Sequence, residues 1–364
     1  MTYDAVLLTS FGGPENPDEV MPFLERVTAG RGIPRERLEE VSHHYLALGG
    51  VSPINEQNRE LLTHLREELR ARNIEIPIYL GNRNSEPFFS DVLREMYSDG
   101  HRRVLSLVTS AYSSYSGCRQ YRENLAKALV DAGLDGQMEI DKVRNYFDHP
   151  GFVLPFADGL VQALKTLRDE GFAPTDIHIF FTTHSVPILM AQTSGPESLR
   201  STFADGVYVA QHNAAANAIL EIASKELSFP LSDWSLVYQS RSGAPNMPWL
   251  EPDIGDALRE SANVERKAVV VMPIGFVSDH IEVIWDLDNE AKAIAEEEGL
   301  RFIRVATPGK SADFVSGLVD LIQERLSNSE KKALSPLGPW ADFCAVGCCP
   351  NPRHELPTIA EIAN

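Results

Sequence analysis

Short apolar segments alternate with helical patterns along most of this chain. Strands that alternate with helices predict parallel sheets whose strands are joined by right-handed crossovers. Four segments precede His149 and four follow it, so we predict two similar Rossmann-like α/β domains, each with a four-stranded parallel sheet flanked by helices. A (β/α)₈ barrel has the same number of elements, but long insertions before residue 76 and between residues 183 and 234 make it less favoured. The eight segments are 5–11, 76–80, 104–109, 138–143, 177–182, 234–239, 269–273 and 302–306.

The composition of the sequence changes near its C-terminus. Residues 335–340 read Ser-Pro-Leu-Gly-Pro-Trp, and prolines and glycines of this kind end regular structure. We therefore predict domains at 1–148 and 149–328, followed by a cysteine-bearing tail at 329–364 rather than a third domain. Near the other end, Asn16 followed by Pro17 and two acidic residues predicts the start of a helix.

Charge and hydropathy exclude several classes of protein. The 364 residues carry 33 basic and 52 acidic side chains, a net charge of −19, which argues against general nucleic-acid binding. The N-terminus lacks the basic region of a signal peptide, and no apolar run approaches the roughly 20 residues of a membrane span. We expect a cytoplasmic protein without stable membrane insertion, and nothing in the sequence marks an obligate interface, so we expect a monomer.

Polar loops follow several predicted strands, at the sheet edge where ligands of parallel α/β sheets bind. His184 leaves one apolar strand directly into a turn. Glu282, Asp286 and Glu290 recur every four residues, a spacing that a π-turn aligns better than an α-helix. A structural histidine and a solvated acidic helix face are the plain alternatives. Carboxylates together with an imidazole would suit Fe²⁺ or a similar divalent ion.

The chain has four cysteines, three of them within six residues of the tail. Their spacing is not that of a zinc ribbon, and so few cysteines do not make a disulfide scaffold. From spacing alone, free thiols come first and a single four-ligand metal site second, either a [2Fe–2S] cluster or structural zinc. The four residues are Cys118, Cys344, Cys348 and Cys349.

Separated motifs in a fixed order give the chain a specific resemblance. It resembles the ferrochelatase family, whose members insert Fe²⁺ into a porphyrin, from residue 3 to about residue 325. The resemblance implies a chelatase fold of two four-stranded domains with the porphyrin in the cleft between them. The motifs are Gly-Gly-Pro at 12–14, Gly-Gly-Val-Ser-Pro-Ile at 49–54, Thr-His-Ser-Val-Pro at 183–187, Gln-Ser-Arg at 239–241 with Pro-Trp-Leu at 248–250, and Ser-Asp-His-Ile-Glu at 278–282.

The resemblance also implies roles for the polar residues. It assigns His184 and Glu282 as the catalytic pair that contacts the substrate Fe²⁺, with His184 as the base for the pyrrole protons. Asp286 and Glu290 become a relay for ions or protons along a π-helix. The motifs are similar to those of the Gram-positive type, a lyase of haem biosynthesis that converts coproporphyrin III to coprohaem. The alternatives are a protoporphyrin IX ferrochelatase, a cobalt chelatase, or a non-catalytic haem or Fe–S sensor.

Some members of this type carry a [2Fe–2S] cluster held by one internal cysteine and three in a C-terminal tail. Cys118 with Cys344, Cys348 and Cys349 is similar to that arrangement, so the resemblance implies a cluster here. A downstream enzyme that accepts coprohaem is implied as a partner by the same pathway.

The expected substrate is an anion, and this chain also has a net negative charge. Coproporphyrin III carries four propionates, so local donors must bind it. Many Gram-positive members have a tyrosine where this chain has Phe11, and phenylalanine cannot ligate iron, so no axial role carries over. The candidate substrate contacts are Arg31, Tyr45, Ser52, Tyr121, Arg119, Arg122 and Phe11.

Overall fold

Two parallel four-stranded sheets with the same strand order form the framework. The computed structural model of the chain describes residues 3–30, 32–242 and 247–362. The first sheet has the order β2-β1-β3-β4 and the second the order β6-β5-β7-β8. Two open sheets confirm the predicted architecture, and the barrel alternative is wrong. The strands are β1 Ala5–Ser10, β2 Ile78–Asn82, β3 Arg103–Val108, β4 Glu139–Lys142, β5 Ile177–His184, β6 Trp234–Gln239, β7 Ala268–Met272 and β8 Arg301–Arg304.

Helices cover both faces of each sheet. This arrangement explains the apolar runs that are continuous rather than alternating, since β1 and β7 are buried at every position. Among the residues that the structure describes, two segments are π-helical, at Tyr115–Arg119 and at Ile284–Ala291. The α-helices are α1 Val20–Val27, α2 Arg35–Ala47, α3 Ile54–Ala71, α4 Phe89–Ser98, α5 Gln120–Ala132, α6 Pro150–Asp169, α7 Ile188–Gln192, α8 Gly206–Leu227, α9 Ile254–Asn263, α10 Ile281–Val283, α11 Lys292–Glu297 and α12 Ala312–Ser327.

The two halves of the chain are in contact where α3 packs against α12. Arg72, at the end of α3, donates hydrogen bonds to Asp320 at 2.6 Å and to Gln323 at 2.7 Å on α12. One core cluster contains buried residues of both sheets. The predicted divisions at 148/149 and 328/329 remain predictions, because a helix of the second half also packs against the first.

A local signal in the sequence explains where the first helical segment begins. The side chain of Asn16 accepts hydrogen bonds from the backbone N–H groups of Asp18 and Glu19, as its cap pattern predicts, ahead of the 3₁₀ turn Pro17–Glu19 that leads into α1. Other 3₁₀ turns lie at Pro174–Asp176 and Glu197–Leu199.

The tail packs back onto both halves of the molecule. It forms a small parallel pair, β9 Cys344–Ala345 and β10 Glu361–Ile362, which the sequence analysis did not predict. Ser335 donates a 2.7 Å hydrogen bond to Asp148 at the junction of the halves. Within the described parts of the chain, no helix combines the length and the apolarity that a membrane crossing needs.

Candidate active site

The candidate active site lies at the carboxyl end of the second sheet. His184 is the last residue of β5, an inner strand between β6 and β7. Its backbone carbonyl accepts a 2.8 Å hydrogen bond from the hydroxyl of Tyr208 on α8, and that hydroxyl also lies 2.8 Å from Oγ1 of Thr183. The buried tyrosine therefore fixes the strand end that presents the imidazole.

Hydrogen bonding fixes the tautomer of His184. Nδ1 lies 2.5 Å from the carbonyl oxygen of Ser185, and a carbonyl only accepts, so Nδ1 carries the proton in the neutral ring. Nε2 then presents its lone pair toward Oε2 of Glu282, 3.9 Å away. Both side chains reach solvent, with 35 % and 48 % of their surfaces exposed. A lone pair that faces a carboxylate at this distance favours a proton or a cation between them.

The acidic stretch after β7 separates into two chemically different sets. Asp279 and Asp288 are both bound by Arg304, at 3.1 Å and 2.6 Å, so the two carboxylates share one positive charge. Glu282 and Asp286, by contrast, have no lysine or arginine partner among the described residues. The uncompensated acids line up along Ile281–Ala291, whose second part is the π-helix that the four-residue spacing predicts.

Asp286 is held by the Gln-Ser pair at the end of β6. The hydroxyl of Ser240 donates to Oδ2 of Asp286, and Nε2 of Gln239 donates to the same oxygen at 3.3 Å. Burial, followed by repulsion from Glu282 and Glu290, raises the pKa of Asp286 to about 7 against the opposing effect of these hydrogen bonds. A carboxyl with this pKa exchanges protons near neutral pH.

Helices of the first half close over the site. Tyr45 on α2 is buried in a small cluster with Phe23 and Ile281, and Phe11 packs against that cluster. Burial first, and then the charges of Glu282 and Asp286, raise the pKa of Tyr45, so its hydroxyl stays protonated. Residues from both halves therefore meet beside Glu282 and Asp286.

The outer end of the acidic row is bordered by aromatic rings. The indole of Trp285 stacks on the imidazole of His44, with ring centroids 4.3 Å apart. Its N–H donates a 2.8 Å hydrogen bond to the exposed carboxylate of Glu290. This contact joins α2 to the π-helix, so Glu290 lies at the solvent side of the row and Asp286 inside it.

The predicted porphyrin contacts of the first half lie in different surroundings. Ser52 is buried against Gly13, where a Cβ would come within 2.6 Å of the serine Cβ. Tyr121 is buried, with the guanidinium of Arg83 3.6 Å from its ring centroid and 5.6 Å from that of Phe11. The sequence analysis missed Arg83, which brings a positive charge between two predicted contacts. The substrate roles of Ser52, Tyr121 and Phe11 stay predictions.

Two of the predicted propionate-binding arginines contact the tail instead. Arg119 and Arg122 are buried, and each donates a 3.4 Å hydrogen bond to the carbonyl of Cys348. These contacts favour a role beside the cysteines over one at the porphyrin. Arg31 lies outside the residues that the structure describes.

The four cysteines are buried together, and we call them the cysteine cluster. Cys118 lies on the π-helix Tyr115–Arg119, and the other three come from the tail. Sγ of Cys348 and Sγ of Cys349 are 3.8 Å apart, and the backbone N–H of Gly195 donates to Sγ of Cys349 at 3.1 Å. Across the described ranges, no three or more His, Cys, Asp or Glu side chains stand in an arrangement that could hold a metal ion.

Hydrogen bonds between the thiols shift the pKa of Cys344. The hydrogen bond with Cys118 first, and then that with Cys348, lower the pKa of Cys344 well below its ordinary value. The charges of Lys142 and Arg122 act in the same direction. The site therefore favours thiolate at this position, which is the form that binds metals.

The sequence profile described as Ferrochelatase matches residues 3–326. This chain belongs to the ferrochelatase family. Its match includes His184, Glu282 and the acidic row, as well as Cys118, and it ends before the three cysteines of the tail. The ligand set that the sequence analysis assembled thus combines one residue inside the family match with three outside it.

Curated relatives align over nearly the whole chain. The coproporphyrin III ferrochelatase of Leifsonia xyli is 51 % identical over 363 residues, which cover 97 % of this chain and 92 % of that protein. The coproporphyrin III ferrochelatase of Streptomyces griseus is 52 % identical over 357 residues, covering 96 % and 93 %. Among solved structures, SirB from Bacillus subtilis with Fe³⁺ aligns with 92 % of this chain and 100 % of its own, at 10 % identity and a TM-score of 0.48.

Proposed function

We propose that this chain is a lyase that inserts Fe²⁺ into coproporphyrin III to form coprohaem with release of two protons, in haem biosynthesis. The single observation that carries the chemistry is the His184–Glu282 pair, in which Nε2 and a carboxylate oxygen face one another at 3.9 Å. The substrate assignment draws on the family and on relatives named coproporphyrin III ferrochelatase. Protoporphyrin IX is the alternative substrate that the same site chemistry would accept.

Proton removal is the step that the chain's own residues perform. Metallation releases two pyrrole protons, and the lone pair of Nε2 on His184 accepts them one after the other as general base, passing the first on before it takes the second. Glu282 stabilises the imidazolium that forms, since its carboxylate lies 3.9 Å away. Asp286, with its pKa near 7, passes protons toward Glu290 and solvent in the outward direction, and the same carboxylates attract Fe²⁺ in the inward direction.

Positive charge near the cleft would offset the acidity of the protein for a polyanionic substrate. Arg83 lies beside Phe11 and Tyr121, both predicted porphyrin contacts. We infer that Arg83 serves a propionate in place of Arg119 and Arg122, whose contacts lie in the tail. Arginine suits this task because its planar fork binds carboxylates bidentately.

Anaerobic turnover with Fe²⁺ tests the proposal directly. Coproporphyrin III and protoporphyrin IX are compared at equal concentration, and loss of porphyrin fluorescence reports metallation. We expect a higher kcat/KM for coproporphyrin III and loss of at least about 100-fold in His184→Ala. Arg83→Met should raise the KM for coproporphyrin III with a smaller effect on kcat. A His184→Ala variant with the wild-type rate would overturn the mechanism, and a preference for protoporphyrin IX would overturn the substrate.

We also propose that the cysteine cluster holds a [2Fe–2S] group. Three observations support the fit. All four thiols are buried in mutual contact. The Cys348–Cys349 sulfur separation of 3.8 Å is close to the edge, about 3.8 Å, of a tetrahedron with metal–thiolate bonds of about 2.3 Å. Cationic side chains lie beside the thiols. The thiols as they lie are not arranged to hold a metal ion, so loading requires a rearrangement within the cysteine cluster.

Such a group supplies one-electron chemistry when it is bound. Protein purified without oxygen should contain about two iron and two sulfide per chain, with visible absorption that Cys344→Ser removes. Zinc in place of iron, or free thiols only, would overturn this proposal and leave the chelatase reaction intact. A partner that accepts coprohaem, a monomeric state and a cytoplasmic location remain predictions.

A further inference from the structure

A buried polar contact joins α8 of the second half to the loop that follows β3 in the first half. The backbone N–H of Ser113 donates to Oε1 of Gln211 at 2.7 Å, and Nε2 of Gln211 donates to the hydroxyl of Ser113 at 3.0 Å. Both side chains are buried. The amide of Gln211 therefore holds this loop in one position, because loss of either hydrogen bond would leave a buried polar group unpaired.

The next residue of α8 adds a second contact with the same loop. The imidazole of His212 stacks on the ring of Tyr112, with centroids 3.6 Å apart and planes 11° from parallel. Nδ1 of His212 lies 2.7 Å from the backbone carbonyl oxygen of Tyr208, which only accepts, so Nδ1 carries the proton. Burial lowers the pKa of His212 to about 3, so the ring is neutral. The stack therefore reinforces the Gln211–Ser113 contact without adding a charge.

On its other side, the same part of α8 holds the catalytic strand. The hydroxyl of Tyr208 donates a 2.8 Å hydrogen bond to the backbone carbonyl of His184. Residues three positions apart are neighbours on a helix, so Tyr208 and Gln211 act from adjacent positions of α8. One short stretch of helix therefore contacts both the end of β5 and the loop after β3.

The loop after β3 also contacts the proposed substrate residue Arg83. The π-helix Tyr115–Arg119 begins two residues after Ser113. The guanidinium of Arg83 donates to the backbone carbonyl of Ser116, in that π-helix, at 3.5 Å. A chain of contacts thus leads from Arg83 through this loop and Gln211 to α8, and from α8 through Tyr208 to His184.

We propose that Gln211 is a positioning residue for metallation, which fixes the porphyrin-binding wall of the first half relative to His184. The inference rests on the proposed chelatase function. General-base catalysis needs a pyrrole nitrogen within hydrogen-bond reach of Nε2 of His184, and a displacement of about 1 Å can lower a rate about 100-fold. Loss of Gln211 should therefore lower turnover more than porphyrin affinity, because the groups that bind the porphyrin stay in place.

Steady-state metallation and porphyrin binding test this role. Gln211→Met removes both hydrogen bonds, whereas Gln211→Glu retains them, since a carboxyl group accepts and donates as the amide does. The control Ile219→Ala opens a cavity at a fully buried position about two turns further along α8. We expect Gln211→Met to lower kcat for coproporphyrin III about tenfold, with the Kd of the metal-free porphyrin, measured by fluorescence titration, within about twofold of wild type. Gln211→Glu and Ile219→Ala should stay within about threefold of the wild-type kcat.

A double-mutant cycle separates positioning from a general loss of stability. Because Gln211 acts through Tyr208, the combined variant Gln211→Met/Tyr208→Phe should lose less turnover than the product of the two single losses. Losses that multiply, or an equal loss in Ile219→Ala, would refute the inference. Ser113→Ala, which removes one of the two hydrogen bonds, takes the place of Gln211→Met if that variant does not fold, and should lower kcat about threefold.

The outcome for the wild type distinguishes this inference from the proposed function. A wild-type protein that does not metallate coproporphyrin III would refute the proposed function, and the inference with it. Normal wild-type turnover together with an unchanged kcat in Gln211→Met would refute the inference alone.

Discussion

Asp286 carries a stability cost that depends on pH, and the cost can be worked out from its surroundings. Burial and the neighbouring carboxylates raise its pKa from 3.8 to about 7. Between these values the native state binds one proton more than the unfolded state, so stability falls as the pH rises. The two pKa values differ by about three pH units, and each unit corresponds to about 1.4 kcal/mol. The loss of folding stability therefore has an upper bound of roughly 4 kcal/mol, which is reached above pH 7. Residual solvation of the half-buried side chain reduces this to about 2–4 kcal/mol.

Asp286→Asn removes the titration and keeps the local hydrogen bonds. The amide oxygen of asparagine accepts from both Ser240 and Gln239, as the carboxylate does. We expect the variant to gain stability over wild type by up to about 1.4 kcal/mol per pH unit between pH 5 and 7, and by about 2–4 kcal/mol in total at pH 8. Urea unfolding followed by tryptophan fluorescence at pH 5, 6, 7 and 8 measures the difference.

The same variant should be a poorer enzyme. Loss of the proton carrier should lower turnover about 10–100-fold and remove an apparent pKa near 7 from the pH–rate profile. Glu290→Gln, at the exposed end of the row, removes one of the charges that raise the pKa of Asp286, so it should weaken the pH dependence of stability less than Asp286→Asn does. A constant difference between wild type and Asp286→Asn across pH 5–8 would refute the raised pKa. Normal turnover with the expected stability gain would refute only the relay.

Three further predictions concern the framework around the site. Tyr208→Phe removes the hydroxyl that anchors the carbonyl of His184, so turnover should fall about tenfold at nearly unchanged KM, whereas equal turnover would show that the anchor is dispensable. Arg144→Met leaves the buried carboxylate of Glu324 unpaired and should lower the unfolding free energy by about 3–5 kcal/mol in urea. Asn16→Ala removes a helix cap and should cost about 1 kcal/mol in the same assay, with no loss of activity.

The sheets could be predicted because their signal is local. Strands buried on both faces need continuous apolar runs, and β1, β5 and β7 each end in a polar loop within a few residues of the predicted point. The π-helix at Ile284–Ala291 was predictable for a similar reason, since a period of four in carboxylates is a short-range pattern. Local patterns therefore drew attention to His184 and Glu282 separately, whereas their pairing came from the resemblance to the ferrochelatase family.

The partners of the charged residues could not be predicted, because they are set by contacts distant in sequence. Arg304 on the next strand binds both Asp279 and Asp288, which distinguishes these two acids from the others in a stretch that looks uniform in the sequence. Arg119 was expected at the porphyrin because it lies near Tyr121 in sequence. Its side chain instead reaches the tail more than 200 positions away. The role of such a charged residue can be assigned only when its ion-pair partner is known.

The tail links the two candidate sites through a short stretch of chain. Cys349 exchanges hydrogen bonds with Gly195, which follows α7 by three residues, and α7 begins four residues after His184. Arg200 donates a 2.8 Å hydrogen bond to Gly347 in the same contact. The segment between α7 and α8 therefore holds the tail in place through backbone and side-chain hydrogen bonds. Because this segment follows β5 closely in sequence, the cysteine cluster and His184 are positioned by neighbouring stretches of the same chain.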